Sequence, residues 1–324
     1  MKITISDVAK RSGVSVATVS RVLNGTAKVN PAKRQSVEEA IRDLGFKPNT
    51  IARSLSKKST NTIGLIVPNI VNPFFNEIAE SVEKRGRENN YKIILCNSNN
   101  NRVYEAQYLE NLMQNQVDAF VIISDNPIDS KVRVPIAYLD RYGVSVNNQH
   151  PIIRTDHYQG GRMATEWLIR KGCKKIAYLG KEKLHKDKTE RIDGYLDVMD
   201  ENGLKTFCQF IEYDYISGVE GAKNMLSHAS ELDGIFAGND LIAYAVIKEC
   251  FKRNIQIPEE IQLIGYDNIL FSELITPSLT TIAQPIAALG EKAVDVIVDI
   301  LNGKKQVETN IVLHASLVER DTTK

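Results

Sequence analysis

From Thr62 onward, short apolar runs alternate with stretches of helical periodicity. The runs read TIGLIVP, YKIILCN, VDAFVIIS, PIAYLDR, KKIAYLG, FCQFIEYD, DGIFAGND and IQLIGYDN. A continuous apolar run bounded by turn residues is a strand buried on both faces, and a parallel sheet is what buries strands in that way. The amphipathic stretches around residues 75–90 and 103–116 supply the covering helices. Around residues 155–160 the alternation begins again, which predicts an α/β body of two similar lobes with a cleft between them.

Open parallel sheets collect ligands at the carboxyl ends of their strands. Polar residues fall at those ends: Asn69 and Asn72 after the first run, then Asp140 with Arg141, Asn239 with Asp240, and Asp267 with Asn268. Each has a structural alternative. Asp240 could cap the helix that follows, Asn72 could open a turn before Pro73, and Asp267 could close its strand. Together, though, they offer carboxylates, amides and guanidinia of the kind that grip sugar hydroxyls, and Phe74 and Phe75 offer apolar faces to a sugar ring.

The net charge of +1 conceals an asymmetry. Residues 1–60 carry twelve basic and four acidic side chains, a surplus of +8, which leaves −7 for the remainder. A basic segment on an acidic body points to a polyanion partner; a merely solubilising basic face is the alternative. Three short helices are expected in this segment. Ser6 is placed to cap the first, which carries Val8 and Ala9 inward and ends near Ser12; Gly13 makes the turn, and Ser15 caps the second. Asn30 and Pro31 open the third, whose apolar face is Val37, Ala40, Ile41 and Leu44.

The second helix, SVATVSRVLN, turns Val19, Val22 and Leu23 inward and leaves small side chains, hydroxyls and one arginine outside. That surface suits close contact better than solvation. The pattern reads as a helix-turn-helix whose second helix enters a major groove, with Ser6, Ser15, Thr18, Ser20 and Asn24 placed for DNA contact and the hydroxyls at phosphates. Arg21 is the expected base reader, since a guanidinium grips guanine O6 and N7 together, and Val16 and Ala17 suit thymine methyls. A small helical bundle that binds protein is the other reading of the segment.

Residues 48–58, PNTIARSLSKK, come next, and the short helix expected there, from Asn49 to about Ser56, has too little apolar surface to stand alone. TISDVAKRSGVSVATVSRVLNG followed by PNTIARSL resembles the DNA-binding headpiece of the lactose-repressor family of bacterial transcription regulators. The resemblance implies hinge helices that pair in the minor groove of a palindromic operator, with Leu55 as the apolar wedge and Ala52 and Arg53 beside it. It extends through NPFFNEIAESVE, ERIDGY, GND and GYDN and implies a body like a periplasmic sugar-binding protein, closest in pattern to ribose repressors. The sugar-contacting positions it implies are Asn72, Phe74, Phe75, Asp140, Arg141, Arg191, Asn239, Asp267 and Gln284. Tyr213 stands where the family pattern has phenylalanine, adding a hydroxyl at the pocket. The expected division is therefore a headpiece over 1–47, a hinge over 48–60 and an effector and dimerisation domain over 61–324.

An enzyme is the competing class. The nucleotide-binding, metalloprotease and hydrolase motifs are absent, and the five histidines are scattered. The two S-x-x-K matches, Ser54 to Lys57 and Ser81 to Lys84, lack their companion motifs. Four dispersed cysteines form no metal or disulfide pattern, so no cofactor and no metal are expected. Neither a signal peptide nor a membrane span is visible, and no apolar heptads follow the last strand. The expectation is a cytoplasmic homodimeric repressor released from its operator by a small sugar such as ribose. A regulator controlled by a corepressor or by a phosphorylated partner protein is the alternative.

Overall fold

The computed structural model describes residues 3–24, 29–46, 59–124, 132–140, 150–182 and 190–324. The chain divides into two compact units, Met1–Thr60 and Asn61–Lys324. In the first, α1 (Ile5–Ser12), α2 (Val16–Asn24) and α3 (Pro31–Leu44) enclose Val8, Ala9, Val19, Val37 and Ala40. Gly13 separates α1 from α2 at φ +66°, a left-handed conformation that glycine adopts without a Cβ clash. Asn30 caps α3 by accepting from the Ala32 N–H at 2.9 Å. Ser6, expected as the cap of α1, lies one residue inside that helix. Thr4 is the cap, because Asp7 is three residues beyond it and accepts from the Thr4 N–H at 2.8 Å and from the Thr4 hydroxyl at 2.7 Å.

The second unit contains two six-stranded sheets. The eight apolar runs all form strands: β1 (Thr62–Val67), β2 (Lys92–Asn97), β3 (Ala119–Ile122), β4 (Ile136–Leu139), β6 (Ile176–Gly180), β7 (Phe207–Phe210), β8 (Gly234–Ala237) and β9 (Gln262–Asp267). Four more elude the apolar pattern: β5 (Ile152–Thr155), β10 (Thr281–Ala283), β11 (Asn310–Leu313) and β12 (Ser316–Val318). The first sheet is ordered β11-β5-β4-β3-β1-β2 and is parallel throughout. The second is ordered β12-β10-β9-β8-β6-β7, parallel except for β12 against β10.

The helices of this unit are α4 (Pro73–Glu88), α5 (Arg102–Gln114), α6 (His157–Arg170), α7 (Arg191–Glu201), α8 (Tyr215–Met225), α9 (Asp240–Arg253), α10 (Phe271–Leu274) and α11 (Ile286–Leu301). The chain passes between the lobes three times: from β5 into α6, from β10 into α11, and from β11 into β12. The first passage falls where the alternation restarts in the sequence. The return is what the sequence pattern does not foretell, since α11 rejoins the first lobe and packs along α4. There the Ser81 hydroxyl donates to the Ala287 carbonyl at 2.6 Å and Arg85 pairs with Asp295 at 2.7 Å. All three passages lie beside strand carboxyl ends, so side chains from both lobes converge there.

Candidate functional site

In the three-helix unit, Val19 is fully buried while Ser15, Val16, Ala17 and Arg21 are exposed and Thr18 and Ser20 half-buried. Ser15 caps α2, its Oγ accepting from the Thr18 N–H at 3.3 Å and sharing a 3.0 Å bond with the Thr18 hydroxyl. The exposed start of the helix thus presents Val16 and Ala17, with Arg21 one turn on. Asn24 ends α2. Ala52, Arg53 and Leu55 lie outside the described residues.

In the body, a buried polar cluster joins the lobes. Asp140 follows β4 in a left-handed conformation, φ +50°. Its Oδ1 accepts from the Thr155 N–H at 3.3 Å and lies 2.9 Å from His157 Nε2. His157, the first residue of α6, sets its Nδ1 2.9 Å from the Tyr266 hydroxyl. Arg191 opens α7; its guanidinium lies 3.8 Å over the Tyr266 ring and 5.1 Å from the Tyr213 ring, its Nε reaches His157 Nδ1 at 3.4 Å, and its Nη1 donates to the Gly238 carbonyl. Its Nη2 is 3.4 Å from Asp267 Oδ1. Gln284, just after β10, donates to that same oxygen at 2.7 Å and accepts from the Thr155 hydroxyl at 2.7 Å.

Burial sets the electrostatics. For Asp140, desolvation would raise the carboxyl, but His157, Arg191 and its hydrogen bonds outweigh that and hold it below the ordinary carboxylate range. Desolvation lowers His157, with Asp140 opposing and Arg191 reinforcing, so the imidazole resists protonation. Asp267 is pushed the other way: burial raises it, Arg191 opposes, and the nearby Asp240 carboxylate adds to the rise. Its backbone is at φ +115°, a region few non-glycine residues occupy, and such strain concentrates at functional sites.

Of the expected sugar contacts, Asp140, Arg191, Asp267 and Gln284 are in direct mutual contact or share a partner. Tyr213 joins them through the Arg191 guanidinium, and its extra hydroxyl pairs with the Tyr178 hydroxyl at 3.1 Å. Asn239 is buried, with its Oδ1 accepting from the Ile242 N–H at 2.9 Å and its Nδ2 donating to the Tyr213 carbonyl at 3.2 Å. Asn239, not Asp240, is therefore the cap of α9. Asp240 instead accepts from Thr281 and Ser272 hydroxyls, each at 2.6 Å, and from the Ile269 N–H at 3.0 Å, fixing the loop that follows Asp267. Asn72 does cap α4, accepting from the Phe74 N–H at 3.1 Å. Phe74 is buried in the first-lobe core alongside Ile269 and Ile286, which leaves half-buried Phe75 the more accessible ring. Asn268 accepts from Arg320 at 2.8 Å. Arg141 lies outside the described residues. His157 and Tyr266 had no signal in the sequence as site residues, because their partners are 17 and 109 positions apart.

Residues 4–49 match the family described as bacterial regulatory proteins, lacI family, and residues 165–323 match the periplasmic binding protein-like domain. A ribose operon repressor from Halalkalibacterium halodurans is 34% identical over 99% of this chain and 97% of its own length. Catabolite control protein A from Priestia megaterium is 34% identical over 100% of both chains. The chain belongs to the LacI family of bacterial regulatory proteins. The Lac repressor dimer bound to operator and the anti-inducer ONPF is 25% identical and superimposes with a TM-score of 0.85, covering 100% of this chain and 99% of the other. A LacI-family member of this architecture is a DNA-binding transcriptional repressor and not an enzyme, and the first of these relatives is itself named a repressor. Among the described residues, no helix is long and apolar enough to cross a membrane.

Proposed function

We propose that this LacI-family repressor controls sugar-utilisation genes and is released from its operator by a small sugar such as ribose. The observation that carries the proposal is the buried Asp140, Arg191, Asp267 and Gln284 cluster between the lobes, supported by the name of the 34% identical ribose operon repressor. Two buried carboxylates and a buried guanidinium suit adjacent hydroxyls, which donate to the carboxylates and accept from the arginine. Residues 1–47 form the DNA-reading headpiece, 48–60 the hinge with Leu55 as minor-groove wedge, and 61–324 the effector and dimerisation domain.

Operator DNA of palindromic sequence is the expected partner, bound by a cytoplasmic homodimer. Leu95 on the edge strand β2 is 47% exposed and Ile94 beside it 40%; on the second lobe Phe251 is 83% exposed and Ile216 79%. These are the side chains a second copy of the chain would cover.

The DNA reading is tested at Arg21. Arg21→Ala is expected to weaken operator binding by about 1–3 kcal/mol per half-site and to relax preference at one base pair. Titrations on an operator and on random DNA at one salt concentration distinguish this from a phosphate contact, which would weaken both equally.

A further inference from the structure

We propose that His157 is a positioning residue of the cleft, a neutral imidazole with its proton on Nε2 that ties Asp140 of the first lobe to Tyr266 and Arg191 of the second. This deepens the sugar-cleft reading and rests on it. The hydrogen-bond geometry fixes the tautomer. An ionised Asp140 can only accept, so the nitrogen 2.9 Å away, Nε2, must donate. Nδ1 then has a lone pair, and it faces two donors: the Tyr266 hydroxyl at 2.9 Å and the Arg191 Nε–H at 3.4 Å. No other placement of one proton satisfies all three contacts. A second proton on Nδ1 would point a donor at the Arg191 donor and add a positive charge beside the guanidinium.

Charged and polar groups from several described elements face the ring. Asp140 lies at the end of β4, Tyr266 on β9 and Arg191 at the start of α7, while the charge of Arg154 reaches it from β5. Of these groups Asp140 favours the imidazolium, and both arginines oppose it. Because His157 stands at the first passage between the lobes, protonating it strains the contact that joins them and disturbs two sugar-gripping residues at once. Burial holds the folded imidazole below the ordinary histidine range, so the unfolded chain takes up its proton first: folding is penalised as pH falls below about 6.5, while the tie itself persists until pH falls through the lowered value of the folded ring.

The test uses the full chain. Histidine nitrogen NMR, with His157→Gln to assign the resonance, reads the proton directly without any sugar. A neutral ring protonated at Nε2 at pH 6.5 is expected; an imidazolium or an Nδ1–H tautomer overturns the proposal. Calorimetry with ribose between pH 7.5 and 5.5 supplies the functional half. Between pH 6.5 and 5.5 wild type is expected to lose up to a few-fold more affinity than His157→Gln does over the same range, because the variant keeps an N–H for Asp140 but does not titrate, whereas both share the proton uptake at Asp267. A pH dependence equal in both proteins overturns the positioning role. Absence of ribose binding by wild type at every pH counts against the sugar reading alone, and the NMR result then decides the tautomer by itself.

Discussion

Asp267→Ala is expected to yield a repressor that binds operator as wild type does and no longer responds to sugar. Asp267 ends β9 with 4% of its surface exposed, in contact with Gln284 and within reach of Arg191. Two sugar hydroxyls donating to an ionised carboxylate contribute about 1.5–3 kcal/mol each. Losing both costs about 3 kcal/mol or more, at least a hundredfold in affinity. Burial favours the protonated carboxyl of Asp267, whereas donating hydroxyls favour the carboxylate, so sugar binding near neutrality should release protons. Calorimetry in buffers of different ionisation enthalpy reads that release, and it should vanish in the variant. Asp267→Asn preserves the side chain's size and its contact with Gln284, so a sugar defect shared by both variants, with thermal unfolding unchanged in Asp267→Asn, separates the lost charge from damage to the fold. Ribose binding by Asp267→Ala as tight as wild type would remove this residue from the site.

Gly161→Ala should produce the largest loss of stability. The helices α6 and α7 cross at Gly161 and Gly194, where a Cβ on the first would collide with the backbone carbonyl of Arg191 and a Cβ on the second with that of Tyr158. Backbone cannot swing aside as a side chain can, so the helices must separate. Overpacking of this kind costs about 1–3 kcal/mol and occasionally more, which exceeds the gain of about 1 kcal/mol in helix propensity from glycine to alanine. A domain of this size loses roughly 2–4 °C in Tm per kcal/mol. The displaced residue is Arg191, so sugar affinity should fall along with Tm. A variant that melts and binds like wild type would show that the helices cross less closely than this geometry requires.

The body was legible in the sequence because parallel strands buried on both faces leave continuous apolar runs. Where the runs shorten, the signal fails: β10 and β12 have three residues each and β11 is an exposed-ended edge strand. The carboxylates of the cleft were legible for a topological reason, since the end of a parallel strand faces the ligand side whatever the details. His157 was not, because a lone histidine opening a helix acquires meaning only from Asp140 and Tyr266 across the fold. Cap identities were read to within one or two residues. Ser6 against Thr4, and Asp240 against Asn239, each turned on which neighbouring side chain had the better competing partner.

A small sugar bound in this cleft is expected to weaken operator binding. A ligand shifts an equilibrium only through unequal affinity for two arrangements, so the effect must appear as a change in operator affinity at saturation. Titration of the full chain with its operator at fixed salt, with and without saturating ribose and a panel of other pentoses and hexoses, measures that change. Weaker operator binding in the presence of at least one of these sugars is the predicted result; operator affinity unmoved by all of them, or strengthened by the sugar that binds, would contradict it.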